Sequence, residues 1–514
     1  MHQALKIEEL LLNIFNHCCP STLRTNQHKK ATSDLAALAR TCRAFKEPAL
    51  DVLWSVLIDL SPLTRCLPEA SHPSRLFPGD RLYSFSRSLT QTDWDILYGY
   101  TRRIQSVQDF DNELDRESIK ILSMPPTTRP LFPNLRVLQC AYTEITMPLL
   151  QLPLPSLVSL QVDFENSQLF QSSLVSFLKF SPNITRLCIS MCQTEGTFSK
   201  IERSYICRWQ NLRTVICPEI TLDVDALVHL SHIPALTNLS FMLSVTLQTF
   251  SSPLFFPNLH ELALHSHSLD PISRLLSHTR LATMTNFLAA IGSCPSRQDL
   301  SFFFDSIQTS GADHTIRCLW LTQSVTHPSS NPRSVLLGLE DLRPCMAFSN
   351  LSFITLDIEW NVGLTNSTVL EFVSTWPRLG HLQINVGWGW NSQGGITPDG
   401  LLRLLQTCRS LCHIAVAFDT RGYTELPPSQ ALASLELTLP PMFLFDVLDS
   451  IIEAESVQAV TSFLSGIAAA TYDFNFLYWG GPYVVEAPGM DEYMERWEHI
   501  GDRVEHQRWS EVHE

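Results

Sequence analysis

The phrase Pro-Asn-Leu-x-x-Leu-x-Leu, with substitutions, returns along most of this 514-residue chain. Clear copies begin at Pro133, Pro155, Pro182, Pro234, Pro257 and Pro377. In the first, Leu135, Leu138 and Cys140 fill the apolar places; in the last, Leu379, Leu382 and Ile384 do. Weaker copies begin near Gln210, His314, Ser349, Arg409 and Gln430. Leading apolar positions mostly recur at intervals of about twenty to thirty-five residues. The interval from Leu259 to Ile316 is twice that, and Cys294-Pro295 reads as a degenerate copy inside it.

The last two apolar residues of each copy sit two apart, which is strand spacing and sends both side chains to one face. The stretch after each copy reads as helix or irregular turn, as over Ser172–Phe180 and Ser367–Trp376. In the second of these, Val369, Phe372, Val373 and Trp376 make a helical stripe. One strand and one helix cannot close a core, but stacked copies can, each strand pairing in parallel with the next. This is the mark of a leucine-rich repeat. It predicts a curved solenoid with the strands on its concave face.

Composition narrows the function. Apolar residues make up 45% of the chain, ample for a core, and the net charge of −15 comes without a dense basic run. Binding to nucleic acid through phosphates is therefore not expected. The fourteen cysteines are scattered, and neither Cys188-x3-Cys192 nor Cys408-x3-Cys412 has a zinc-ribbon partner, so no metal is expected. They read as small buried hydrophobes in a reducing compartment. No secretory signal and no membrane-length apolar run are evident, and no membrane association is expected.

The first sixty residues have a different pattern. Ile7, Leu10, Leu11, Ile14 and Phe15 form a one-sided helix, and a polar loop follows from Pro20 to Ser33. A second helix is predicted from about Asp34 to Phe45, and a third begins at Pro48. Three such helices bury little surface alone and need a partner or a neighbouring domain. The sequences Leu10-Leu11-x-x-Ile14-Phe15, Leu35-Ala36-Ala37-Leu38-Ala39-Arg40-Thr41-Cys42-Arg43-Ala44-Phe45 and Pro48-Ala49-Leu50-Asp51-Val52-Leu53-Trp54 resemble an F-box over about residues 4–60. The chain departs from that pattern at Leu5-Lys6-Ile7, where the family has Leu-Pro, and in the length of the first loop. With the aromatic-basic helix around Trp94, Tyr98, Tyr100 and Arg103, the whole is similar to the F-box/leucine-rich-repeat proteins of mushroom-forming fungi.

The resemblance implies an α/β chain: a three-helix F-box at 1–60, a helical linker and cap at 61–130, the repeats at 131–440, and a helical C-terminal cap with an acidic tail at 441–514. It implies a substrate receptor of a Skp–cullin–F-box ubiquitin ligase, cytoplasmic or nuclear, with no catalytic residues and no cofactor. The Skp adaptor, and through it a cullin–RING ligase, would be met by residues among Leu10, Leu11, Ile14, Phe15, Leu38, Cys42, Phe45, Leu53 and Trp54. The alternative is a repeat scaffold without ligase association. In the strand register, Glu261, His265, Trp320, Asp357, Glu359, His381, Gln383, Asn385 and His413 look inward from the concave face and would hold a protein target. His381 and His413 should be neighbours, with Trp320 the best single anchor. The loop Gly387-Trp388-Gly389-Trp390-Asn391 reads as a turn folded on the repeat edge rather than a phosphate loop.

Overall fold

The leading leucines are where the repeat pattern places them. Leu135, Leu157, Ile184, Leu236, Leu259 and Leu379 are all buried, as are Leu212, Ile316, Leu351 and Leu411 of the weaker copies. The computed structural model describes residues 7–18, 25–67, 85, 87–109, 114–142, 151–164, 181–191, 200–201, 206, 208–244, 252–324, 335–391, 395–423, 440–477 and 490–513. The expected helix at 172–180 and the copy near Gln430 lie outside the described residues.

Two units are distinguished, residues 1–241 and 242–514. Each is a leucine-rich-repeat ladder of parallel strands. In the first unit the order follows the chain: Val56–Leu57, Ser106–Asp109, Val137–Tyr142, Ser159–Phe164, Arg186–Met191, Thr214–Leu222 and Asn238–Met242. In the second it runs Glu261–Ser266, Asn286–Ile291, Cys318–Gln323, Phe353–Asp357, His381–Ile384, His413–Ala415, Met442–Asp446 and Asp473–Leu477.

The polar residue of the Pro-Asn-Leu phrase has a repeated task. Asn134 donates its amide to the Arg102 carbonyl at 2.7 Å, and Asn183 does the same to Pro155 at 3.0 Å. Asn350 reaches the His314 carbonyl at 2.7 Å. Ser156 and Thr283 use hydroxyls on Pro133 and Pro257. In every case the donor precedes its own leading apolar residue, and the acceptor lies two before that of the preceding repeat. The side chain thus satisfies a turn carbonyl that no strand partner reaches. The backbone adds a second tie, since one carbonyl per repeat accepts two successive N–H groups of the next, as Arg317 does from Ser352 and Phe353.

Three expectations are corrected by this bonding. Leu281–Ile291 reads from sequence as the second of two successive helices after Ser268–Ser277, but it forms no helix: Asn286–Ile291 is a full ladder strand, with Met284, Phe287 and Ala289 buried. The hidden copy is therefore led by Met284, and Cys294-Pro295 instead precedes the helix Arg297–Thr309, capped reciprocally by Ser296 and Asp299. The strand pattern does not stop at Pro440-Pro441, because Met442–Asp446 and Asp473–Leu477 continue the ladder. The helix Val457–Ala468 lies between them, and Met490–His513 follows with Trp497, Ile500 and Val504 buried. The amino-terminal helices also differ. They span Glu8–Cys18 (α1), Thr25–Thr41 (α2) and Arg43–Ser55 (α3), so part of the expected loop is helix. Cys42 is extended and breaks the expected 34–45 helix, and Pro48 lies inside α3 rather than starting it.

Candidate functional site

Helices α1–α3 enclose a small apolar cluster of Leu11, Phe15, Leu35, Ala49 and Val52. Leu12, Leu38, Ala39, Phe45 and Leu53 pack against it, with the Phe15 and Phe45 rings edge to face at 5.6 Å. This divides the adaptor set named from sequence. Leu11 and Phe15 are core, at 2% and 3% exposure, and Leu38, Cys42, Phe45 and Leu53 are half-buried. On the adjoining flank, Ile7 just before α1 and Leu10 and Ile14 on it are 47%, 41% and 48% exposed. Leu11 and Phe15 are corrected as contact residues, because the small cluster needs both.

Trp54 is also turned inward. Its ring lies 4.7 Å from that of Tyr100, and it is buried. Beside it Arg103, itself almost wholly buried, forms ion pairs with Glu47 and Asp51 of α3. The Ser55 carbonyl accepts from Gln105 N at 2.9 Å, and Val56–Leu57 pairs in parallel with Ser106–Val107. The third helix therefore passes directly into the first strand. A polar cleft of about 670 Å³ lies between α1, α3 and the Arg102–Gln105 segment, lined by Glu8, Asn16, Glu47 and Asp51 among others.

The second set of candidates lies on the half-exposed face of the second unit. Buried and half-buried residues alternate along Cys318–Gln323 and His381–Ile384, and the outward set includes Trp320, His381 and Gln383. The predicted register holds: His381 pairs with His413, and Phe353 with His381. Four rings consequently touch in series across four strands. Trp320 lies 5.0 Å from Phe353, Phe353 stacks on His381 at 4.7 Å, and His381 meets His413 edge to face at 5.8 Å. Thr355 donates to Gln383 Oε1 at 2.7 Å, and the Gln383 amide reaches the His413 ring at 3.1 Å. Phe353 was absent from the sequence-derived set because an apolar residue at an outward place does not announce itself; its strand position alone was the signal.

Two candidates are corrected. Asn385 has no exposure and takes the left-handed region, φ 56°, just beyond its strand. Its Oδ1 accepts from Ile358 N at 3.1 Å, and its amide donates to the carbonyls of Trp360 and Gly389 at 2.8 and 3.2 Å. Glu359 is 2% exposed, its backbone N bound to Gln323 Oε1 at 2.9 Å. Both hold turns together and face no solvent. Asp357 is half-buried and accepts from Gly387 N at 3.0 Å. A Cβ on Gly387 would stand 2.8 Å from Asp357 Oδ2, so a larger residue there would have to push that carboxylate aside. Glu261 is exposed and His265 half-buried. The tryptophan loop is folded inward: Trp390 is fully buried and donates to the Ile384 carbonyl at 2.9 Å, while Asp449 accepts the N–H groups of Trp390 and Asn391.

The ring stripe carries no positive charge at neutral pH. Burial pushes His413 down to about 4, with His381 adding its repulsion, and burial lowers His381 as well. The unfolded chain accepts these protons near the ordinary value of 6.5. The unfolded state thus binds more protons between those values, and stability contributed here is lost as the pH falls from 6.5 toward 4. Asp446, pushed up to about 6 by burial, has the opposite sign: its share is lost as the pH rises from 3.8 to 6. In an NMR titration of ring-labelled histidine, the His413 signal should reach its midpoint near pH 4. A midpoint at about 6.5 would mean a solvated ring and no packed stripe.

Among the described residues no cluster could hold a metal ion, and no helix is long and apolar enough to cross a membrane. No family model and no curated protein matches the chain. Among solved structures, it is similar to one of the Rad7 and Elc1 complex in yeast, at 13% identity and TM-score 0.34, covering 73% of this chain and 87% of that one. It is similar also to an internalin (inlF) from Listeria monocytogenes, at 10% identity and TM-score 0.32, covering 90% and 96%. A third is the Arabidopsis receptor kinase HAESA in complex with the peptide hormone IDA and the co-receptor SERK1, at 11% identity and TM-score 0.27, covering 74% and 59%.

Proposed function

We propose that this chain is the substrate-recognition receptor of a Skp–cullin–F-box ubiquitin-protein ligase. Helices α1–α3 dock on the Skp adaptor, and the half-exposed strand face of the second unit holds a protein target. One observation carries the first part. Three large aliphatic side chains, Ile7 just before α1 and Leu10 and Ile14 on it, line one flank of the helix and remain about half exposed, while the adjoining flank with Leu11 and Phe15 is packed. Rows of exposed aliphatic residues on an otherwise satisfied helix mark a surface that another protein covers.

The second part rests on the face around Trp320, His381 and Gln383, with Glu261, His265, Asp357 and His413 as further members. Mixed polar and aromatic groups at this depth suit recognition. The Cys412 thiol lies 3.6 Å from His381 Nε2, but burial pushes its pKa up, away from the thiolate that a nucleophile needs. A repeat scaffold without ligase association remains the second reading. It is favoured by the way α3 runs into the first strand and is tied by Trp54 and Arg103, as a simple end cap would be.

Co-purification of the full chain with the Skp adaptor separates the two. The receptor reading expects a stoichiometric complex that brings a cullin with it. A chain that folds and never captures the adaptor is a scaffold.

A further inference from the structure

The turns that lead into the strands of the first unit differ in charge from the rest of the chain. They cover residues 102–106, 133–137, 155–159, 182–186, 210–214 and 234–238. Together they hold five arginines, at 102, 103, 136, 186 and 213, and no lysine, aspartate or glutamate. Residues 1–241 contain 23 basic and 23 acidic side chains, so the net charge of −15 lies wholly in residues 242–514. The matching turns of the second unit mix Arg317, Arg378 and Arg409 with Glu261 and Asp473. Arg103 is taken up by Glu47 and Asp51. Arg102, Arg136, Arg186 and Arg213 are exposed, and among the described residues none of the four forms an ion pair. Arg186 lies against the Cys188 thiol, and the charge of Arg102 is felt by Glu47.

The four belong to strands that follow one another in the ladder from Ser106–Asp109 to Thr214–Leu222. At ~4.8 Å per strand they line about 19 Å of one edge. Beside that edge, on the outward face, Gln108, Gln139 and Gln161 stand in register, with the amides of the last two 3.4 Å apart. Farther along, Asp163 accepts from the Ser190 hydroxyl and bounds the strip on its far side.

We propose that this edge holds an extended acidic segment of a protein, its carboxylates on the arginines and its backbone on the glutamine amides. An extended chain rises ~3.4 Å per residue, so about six residues span the row. The planar guanidinium fork matches a carboxylate with two parallel hydrogen bonds. Every basic place in these turns is arginine, while the seven lysines of residues 1–241 lie elsewhere. A glutamine amide both donates and accepts, as a peptide group does, so the second row takes a backbone of any sequence. A phosphate monoester gathers its charge at one point, whereas this charge is spread along a line. Single-stranded nucleic acid needs aromatic platforms, and the outward places of these strands hold no aromatic residue. The surface lies on the first unit alone, and the inference does not rest on the ligase reading.

The test is fluorescence anisotropy with the full chain in about 0.1 M salt, where the screening length is about 10 Å. The probes are labelled decapeptides of alternating Glu-Gly and Ser-Gly, the Ser-Gly peptide carrying one phosphoserine, and a ten-nucleotide oligothymidylate. The Glu-Gly peptide should bind at least about fivefold more tightly than Ser-Gly. The triple variant Arg136→Gln/Arg186→Gln/Arg213→Gln should weaken Glu-Gly binding about tenfold or more. The triple Arg136→Lys/Arg186→Lys/Arg213→Lys keeps the charge and loses the fork, so it should fall between. It also reports on the edge even if the glutamine variant misfolds, which circular dichroism detects. Arg317→Gln/Arg378→Gln/Arg409→Gln changes the net charge by the same amount in the second unit and should leave the affinity within about twofold. Equal losses in the two glutamine triples would overturn the proposal as diffuse charge attraction. Absence of Glu-Gly binding at millimolar concentration would overturn it outright. Tighter binding of the phosphoserine peptide or of oligothymidylate would replace the acidic segment with a phosphate ligand.

Discussion

The double variant Leu10→Glu/Ile14→Glu should lose capture of the Skp adaptor by at least about a hundredfold while the chain stays folded. Since Leu10 and Ile14 are 41% and 48% exposed, covering what remains is worth roughly half of the ~1.5–3 kcal/mol of full burial each. Each new carboxylate would also have to be desolvated against the adaptor at ~1 kcal/mol or more. Together these exceed about 3 kcal/mol, and every 1.4 kcal/mol is tenfold. Both side chains are exposed at 41% and 48%, so their replacement leaves the helical cluster intact. Surface changes of this kind usually stay within about 0.5 kcal/mol of stability. Phe15→Glu is the contrasting variant: it puts a charge into the cluster of Leu11, Leu35, Ala49 and Val52 and should unfold α1–α3 outright. Isothermal titration with the purified adaptor, beside circular dichroism of each variant, checks both. Undiminished affinity in the double variant would show that α1 is not the docking side.

Asn385→Leu should destabilise the second unit by about 3–5 kcal/mol, among the largest single effects in the chain. The substitution removes three hydrogen bonds to the backbone at Ile358, Trp360 and Gly389 and leaves those groups buried without partners. It also forces a γ-branched residue into a left-handed conformation that asparagine tolerates. Asn385→Gly relieves the backbone and still lacks the three bonds, so the difference between the variants separates conformation from bonding. Urea unfolding monitored by tryptophan fluorescence measures both, since Trp360 and Trp390 are buried around the same turn. A loss below about 1 kcal/mol in the leucine variant would mean that the turn is held by something else.

These two residues mark where reading the chain succeeds and where it stops. The pairing of His381 with His413 was legible because a strand repeats every two residues and a parallel ladder keeps its register from one Pro-Asn-Leu phrase to the next. Asn385 occupies the next outward place on the same strand, yet there the chain has left the strand and turned the amide underneath. Leu11 and Phe15 could not be separated from Leu10 and Ile14 by spacing, since all four fall within a broad apolar stripe whose direction depends on where α2 and α3 pack. Met284 was missed because methionine stands where leucine is usual and no proline precedes it.

What the sequence alone determined was the repeat, the parallel strand in each copy and the side of it that goes inside. Those follow from local periodicity, which backbone geometry converts directly into a face. Only the tertiary structure decided which outward residues stay at the surface, that Trp320 and Phe353 extend the histidine pair into one stripe, and which flank of the first helix is left to water. Each of those depends on neighbours far away in the chain, and no period within one repeat records them.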